Sequence, residues 1–149
     1  MQECQSLGTS LFNMIRQKLY VDEYDIVVYA YYATTQYYVE EIMDMLDYAG
    51  CSYSLLNNAY NNLSSGRLNT GLTYYSPTNK VAVMVIAKTS SASEFFNSLM
   101  HELSHLTAYI AKDEGMSFTG EDIAYLEGGL AKSIFPKVKH LLCDCCRKH

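Results

Sequence analysis

The chain has 149 residues and a net charge of −5, with 49% hydrophobic and 18% charged residues. This length suits one domain over residues 1–149, and the composition argues against a disordered chain. The negative charge argues against a nucleic-acid partner, because counterion release from phosphates needs a basic face. No signal peptide or membrane-spanning apolar run is evident, so we expect a cytosolic protein with no membrane partner.

The first half of the chain alternates between helical and strand patterns. Apolar residues between positions 6 and 19 recur at helical spacing and predict a short amphipathic helix. Residues 24–32 are rich in β-branched and aromatic side chains and predict an interior strand that is apolar on both faces. Helical patterns follow from residue 35 to a stop at Gly50 and again over residues 54–63.

A hairpin and a long helix are predicted in the middle of the chain. Residues 68–75 and 80–87 flank a Ser-Pro-Thr-Asn turn and predict antiparallel strands, the second covered on both faces. Hydroxyl residues at positions 90–93 can cap a helix from about residue 94 to 112, which Gly115 ends. Its apolar stripe consists of Phe95, Leu99, Leu103, Leu106 and Ile110.

One more helix is predicted before the C-terminus. Thr119 and Asp122 offer a capping-box start, and an apolar stripe runs from Ile123 to Ile134. We expect this helix to stop before Pro136, because proline cannot donate the backbone hydrogen bond that would continue it.

Three of the five cysteines lie in the segment Cys143-Asp144-Cys145-Cys146. In a chain without a signal peptide they are expected to be reduced thiols. We interpret residues 136–149 as a frayed C-terminal tail that carries them. The alternative is a metal clip made by these cysteines with His140 or His149, although their tight spacing matches no ordinary structural zinc pattern.

Two of the four histidines, His101 and His105, lie one turn apart on the predicted long helix, with Glu102 beside the first. Both imidazoles fall on one face, about half a turn from the apolar stripe. Imidazoles at this spacing can bind one Zn²⁺ together, and Glu102 can accept a proton from a water that the metal activates. Two solvated histidines on a surface helix are the alternative interpretation. The glutamate beside ligand-spaced histidines favours the metal site.

A catalytic zinc also needs a third protein ligand, and two acids on the last predicted helix are candidates. Glu127 lies at the edge of the apolar stripe, which would direct it inward. Glu121 lies on the opposite face with Ala124 and Gly128, where small residues allow another backbone to approach closely. Helical periodicity leaves both candidates open.

The segments HELSHLTAYIAKDEG and EDIAYLEGGLAKSIF resemble the C-terminal half of small HExxH proteins of tailed bacteriophages and gut-bacterial mobile elements. These proteins are similar in local pattern to compact gluzincin peptidases. The resemblance covers about residues 80–135 and implies an α+β, zincin-like domain with a small, mainly antiparallel sheet. It implies zinc bound by His101, His105 and Glu121, with Glu102 as catalytic base. Larger gluzincins place aspartate where this chain has Tyr125.

The leading hypothesis is therefore a cytoplasmic zinc metallopeptidase that cleaves a peptide or protein. If the chain is phage-encoded, the substrate would be a phage or host protein and the compartment the host cytoplasm or the virion. Its substrate would lie extended along an exposed strand of the sheet. Tyr109 and Tyr125 could donate to a developing oxyanion, but with fourteen tyrosines in the chain ordinary packing is the better interpretation. The alternative hypothesis is a virion or assembly protein that keeps a zincin scaffold and binds metal without proteolysis.

Overall fold

The computed structural model describes residues 13–147 of the chain. In chain order the elements are β1 (Ile15–Val21), β2 (Ile26–Thr34), α1 (Val39–Tyr48), α2 (Tyr53–Ser64), β3 (Gly71–Ser76), β4 (Val81–Ala87), α3 (Ala92–Glu114), α4 (Glu121–Val138) and α5 (Asp144–Arg147). Short 3₁₀ turns lie at Asp22–Tyr24, Gln36–Tyr38 and Lys139–Leu142. Among these elements, no helix combines the length and apolar character needed to cross a membrane.

The strands form one four-stranded sheet in the order β1-β2-β4-β3. The outer pairs β1/β2 and β3/β4 are antiparallel, and only the central pair β2/β4 is parallel. The prediction of an α+β fold with a mainly antiparallel sheet is confirmed. The predicted hairpin of residues 68–87 forms one side of this sheet and leaves β3 at its edge.

Each face of the sheet carries its own apolar core. Along β4, Met84 and Ile86 join the core beneath α3 and α4, whereas Val83 and Val85 join the core beneath α1 and α2. All four are fully buried. Successive side chains of a strand point to opposite faces, so a continuous apolar run is what a strand covered on both sides requires. The predictions of buried strands over residues 24–32 and 80–87 are confirmed.

The amphipathic helix predicted over residues 6–19 is wrong in its described part, because residues 15–21 form strand β1. Ile15 and Leu19 lie four residues apart, a spacing that puts both on one face of a helix or of a strand. The edge of β2 decides between the two, since β1 pairs with it from Ile15↔Tyr32 to Val21↔Ile26. Residues 6–12 lie outside the described part of the chain.

The predicted start and end of the last helix are both corrected. The N-cap of α4 is Gly120, with no side-chain cap hydrogen bond, and Thr119 instead shares a hydrogen bond with Ser117. The helix also runs through Pro136 to Val138. Ile134 and Val138 lie one turn apart and both are fully buried in the core, so packing on each side of the proline holds the backbone helical.

The segment that follows α4 is not a frayed tail over residues 139–147. Leu141 is 4% exposed and belongs to the core beneath α3 and α4. An Asp144 carboxylate oxygen accepts a 2.8 Å hydrogen bond from the backbone N–H of Ala92 at the start of α3. The Arg147 guanidinium donates to the backbone oxygen of Thr89. Burial and these bonds keep the segment folded against the domain.

Candidate metal and proton-transfer centre

Helix α3 is the longest helix of the described chain and positions the predicted site residues. Ser91 caps it, because its hydroxyl accepts a 3.2 Å hydrogen bond from the backbone N–H of Glu94. Gly115 ends it in the left-handed conformation, at φ 69°. The predicted apolar stripe is buried against the sheet, which leaves the opposite face of α3 to solvent.

His101 and His105 lie on that solvent-facing side, as predicted. Both residues are exposed, and their ring centroids are 4.9 Å apart at an interplanar angle of 74°. His105 also stacks on Tyr109, with 6.0 Å between centroids and 20° between the planes. The three rings follow each other along one face of α3, one helical turn apart.

Glu102 points away from solvent and lies beneath the edge strand β3. The residue is 3% exposed. Thr70 Oγ1 lies 3.5 Å from its Oε1, and Thr73 Oγ1 donates over 3.2 Å to its Oε2. Thr73 Oγ1 also lies 3.2 Å from the Glu102 backbone oxygen. Strand β3 and the residue before it therefore fix the position of the carboxylate that follows His101 in sequence.

Burial raises the pKa of the Glu102 carboxyl above its ordinary value. The Thr73 hydroxyl, the charges of His101 and His105, and the Thr70 hydroxyl act in the opposite direction. Both imidazoles are thus within electrostatic reach of the carboxylate. A carboxylate whose pKa is raised is a stronger base and is better suited to accept a proton.

Gly71 allows β3 to approach both β4 and Glu102. Its φ is +154°, and a Cβ added there would lie 1.8 Å from the backbone oxygen of Val85 and 3.0 Å from Glu102 Cγ. No other residue type fits this position without moving the strand. Sequence reasoning did not identify Gly71, Thr70 or Thr73 as site residues. Period-two alternation in the predicted strand does place positions 71 and 73 on one face, which is the signal that could have found them.

A groove runs along β3, the strand at the edge of the sheet. Its volume is about 440 Å³, and its walls come from α2, β3 and Tyr109 of α3. Leu55, Leu72 and Tyr74 give it an apolar lining. On its outer side β3 pairs with no strand in the described part of the chain. Backbone groups at this edge are therefore available to an extended peptide.

The acids predicted as third ligand lie on α4. Glu121 is the first residue of that helix and is exposed, whereas Glu127 is partly buried. Within residues 13–147, neither acid joins His101 and His105 in a set whose ligand atoms all lie within 4.8 Å of one another. The two imidazoles are adjacent and act electrostatically on the Glu102 carboxylate, and the assignment of Glu121 stays a prediction. Tyr125 is 76% exposed on α4, while Tyr109 contacts His105.

The C-terminal segment brings another set of potential ligands together. The Sγ atoms of Cys143, Cys145 and Cys146 all lie within 4.8 Å of one another, so this group could hold a metal ion. His140, the residue considered as a partner for these thiols, is not part of the group, and His149 lies outside the described residues.

The chain matches no model of a known protein family, no curated protein and no solved structure. Its chemistry therefore has to be inferred from the placement of its own residues.

Proposed function

We propose that the chain is a zinc-dependent metallopeptidase with a zincin-like arrangement of edge strand and active-site helix. In this proposal His101, His105 and Glu121 bind the metal, and Glu102 is the general base. One observation carries it: a buried carboxylate held by an edge strand lies within electrostatic reach of two adjacent, exposed imidazoles.

The donor set suits zinc. Imidazole nitrogens at i and i+4 can both reach one cation, and the adjacent rings of His101 and His105 have the solvent access that a ligand needs. Glu121 stands at the exposed start of α4, where its long side chain can change rotamer without disturbing the core. The proposal requires Glu121 to approach the two imidazoles when the cation binds.

Each protein group would have one task in hydrolysis. When bound, Zn²⁺ would supply Lewis acidity that activates water and polarises a substrate carbonyl. Glu102 would take the proton from that water at a carboxylate oxygen and deliver it to the leaving amine. The Thr70 and Thr73 hydroxyls would keep the carboxylate in place, so that it needs no reorganisation during the reaction.

The substrate class follows from β3 and its groove. An extended peptide could add to the outer edge of β3 through backbone hydrogen bonds, which place its reacting carbonyl near α3. Alternate side chains of such a peptide would face the groove lined by Leu55, Leu72 and Tyr74. This lining favours an apolar side chain beside the scissile bond.

The test compares Glu102→Gln with Glu94→Gln, an exposed acid on the same helix. Both proteins are loaded with two equivalents of zinc, because the cysteine group could take one, and are assayed on a library of unfolded peptides by mass spectrometry. Glu102→Gln should keep its zinc but lose about 10²- to 10⁴-fold in kcat/KM, whereas Glu94→Gln should cleave like the parent. Equal cleavage by the two variants, or a parent that binds no zinc, would contradict the proposal.

A scaffold function is the second candidate, and the separation of the third acid from the histidines favours it. A virion or assembly protein could keep His101 and His105 without productive geometry, and use its exposed tyrosines to bind neighbouring proteins. Tyr37, Tyr48 and Tyr53 are each more than half exposed. Stoichiometric zinc without cleavage of any peptide, together with recovery of the protein in purified particles, would support this function over proteolysis.

A further inference from the structure

The three-cysteine group of the C-terminal segment is separate from the histidine centre. Its Sγ atoms lie within 4.8 Å of one another, and those of Cys143 and Cys145 are 3.0 Å apart. We propose that Cys143, Cys145 and Cys146 form a binding site for a thiophilic cation, Cu(I) or Zn²⁺. This site does not depend on the peptidase function.

The backbone of one helical turn creates this site. The carbonyl oxygen of Cys143 accepts hydrogen bonds from the backbone N–H groups of Cys146 at 3.1 Å and Arg147 at 3.2 Å. The Sγ atoms of Cys143 and Cys146 lie within 4.8 Å of each other across this turn. Cys145 stands beside them, and the three sulfurs converge without any contribution from a distant part of the chain.

The rest of the domain holds this turn in place. A single turn is unstable alone, because helix nucleation is costly. Here Asp144 accepts from the backbone N–H of Ala92, Arg147 donates to the carbonyl oxygen of Leu141 at 3.2 Å, and the Leu141 side chain is buried. These contacts fix both ends of the turn before any cation binds. The thiols are therefore preorganised, which lowers the ordering cost of binding.

A cation accounts for the group better than a disulfide does. Cys145 and Cys146 are consecutive, and their Cα atoms, about 3.8 Å apart, are closer than the ~4.4–6.8 Å usual for a disulfide, so this pair is unsuited to one. One disulfide would also leave the third thiol over, whereas a single cation can take all three. Thiolates are soft ligands that select Cu(I) or Zn²⁺. Three of them complete a trigonal Cu(I) shell and leave Zn²⁺ one further position.

The first experiment uses the unmodified, reduced chain. Metal-free protein is loaded anaerobically with Cu(I) or, separately, with Zn²⁺, then desalted, and each cysteine's alkylation rate is followed by mass spectrometry. At least one of the two cations should slow alkylation of Cys143, Cys145 and Cys146 about tenfold or more, because a thiolate bound to metal is no longer a free nucleophile. Cys51, a partly buried thiol on the other side of the sheet, should react at an unchanged rate.

The second experiment counts bound metal in variants. The His101→Ala/His105→Ala double variant and the matched thiol control Cys51→Ser should each retain one equivalent of the protecting cation at the cysteine group. Cys143→Ser, Cys145→Ser and Cys146→Ser should each lose it. Protection by Cu(I) alone or Zn²⁺ alone identifies the cation. Absence of protection by both, or metal at this group that survives Cys146→Ser, would overturn the proposal. If a serine variant fails to fold, the alkylation result on the unmodified chain decides whether the proposal stands.

Discussion

The histidine pair on α3 and the cysteine group at the C-terminus build a potential metal site in opposite ways. His101 and His105 take their relative position from one long helix that the core holds rigid, but they need a third ligand from another element. The three cysteines supply all their donors from four consecutive positions, but their helical turn depends on contacts with α3 for its stability. Spacing along the chain is thus enough to bring ligand atoms together. Tertiary contacts decide whether the ligand set is complete, as for the histidine pair, and whether it is stable, as for the cysteine group.

The largest expected effect separates the two sites. His105→Ala removes one imidazole, and we expect zinc at the α3 centre to be lost and peptidase activity to fall by more than about 10³-fold. The cysteine group should keep its metal in the same variant. Metal content and kcat/KM, measured on parent and variant side by side, check this. Equal activity of the two proteins would remove His105 from the mechanism.

Gly71→Ala tests how strongly the edge strand supports Glu102. The new Cβ would lie 1.8 Å from the Val85 oxygen, so β3 must shift, and we expect the free energy of unfolding to fall by about 3 kcal/mol or more. Gly128→Ala on α4 is the matched control, since an added Cβ there meets nothing within 4 Å. That change should be neutral or stabilise by up to about 1 kcal/mol, because alanine is the better helix former. Urea denaturation of both variants measures the difference.

Leu141→Ala tests whether docking of the C-terminal segment supports the cysteine group. Removal of a side chain that is 4% exposed should cost about 2–3 kcal/mol in the free energy of unfolding. We also expect weaker metal binding at the cysteines and unchanged zinc binding at His101 and His105. Competition titrations with a chelator give the two affinities. Loss of affinity at both sites together would show that the two sites are not independent.

The smallest expected effect is a pH dependence of stability in metal-free protein. Burial raises the pKa of Glu102 above its ordinary value of 4.5, so the folded chain binds more protons than the unfolded chain just above that pH. The contribution of Glu102 to stability is therefore present below the unfolded-state pKa and is lost as pH rises through the folded-state pKa. Between the unfolded-state and folded-state pKa of Glu102, the denaturation midpoint should fall less steeply with rising pH in Glu102→Gln than in the parent.

Much of the fold could be predicted because burial leaves a periodic signature. The β-branched and aromatic residues of β2 and β4, the hairpin turn and the stripe of α3 each favour one local structure. The errors fall where two structures share a pattern. Ile15 and Leu19 suit either a helix or a strand, and Pro136 is tolerated inside α4 because residues around it are buried.

The residues of the candidate site also fall into two groups, those that the sequence predicts and those that only the fold reveals. His101, Glu102 and His105 could be found in the sequence because helical spacing determines which side chains share a face. Thr70, Thr73 and Gly71 could not, since their contact with Glu102 depends on how the edge strand lies over α3. The same applies to the C-terminal segment, which its composition alone suggests to be a tail.

By itself, the amino-acid sequence determined the helix that carries two imidazoles and an acid, because helical spacing over a few residues decides which side chains share a face. Only the tertiary structure decided that Glu102 is buried beneath β3, that residues 15–21 extend the sheet, and that the thiol-bearing turn is docked on α3. The physical reason is that burial and strand pairing depend on residues distant in the chain, and local periodicity holds no information about those residues.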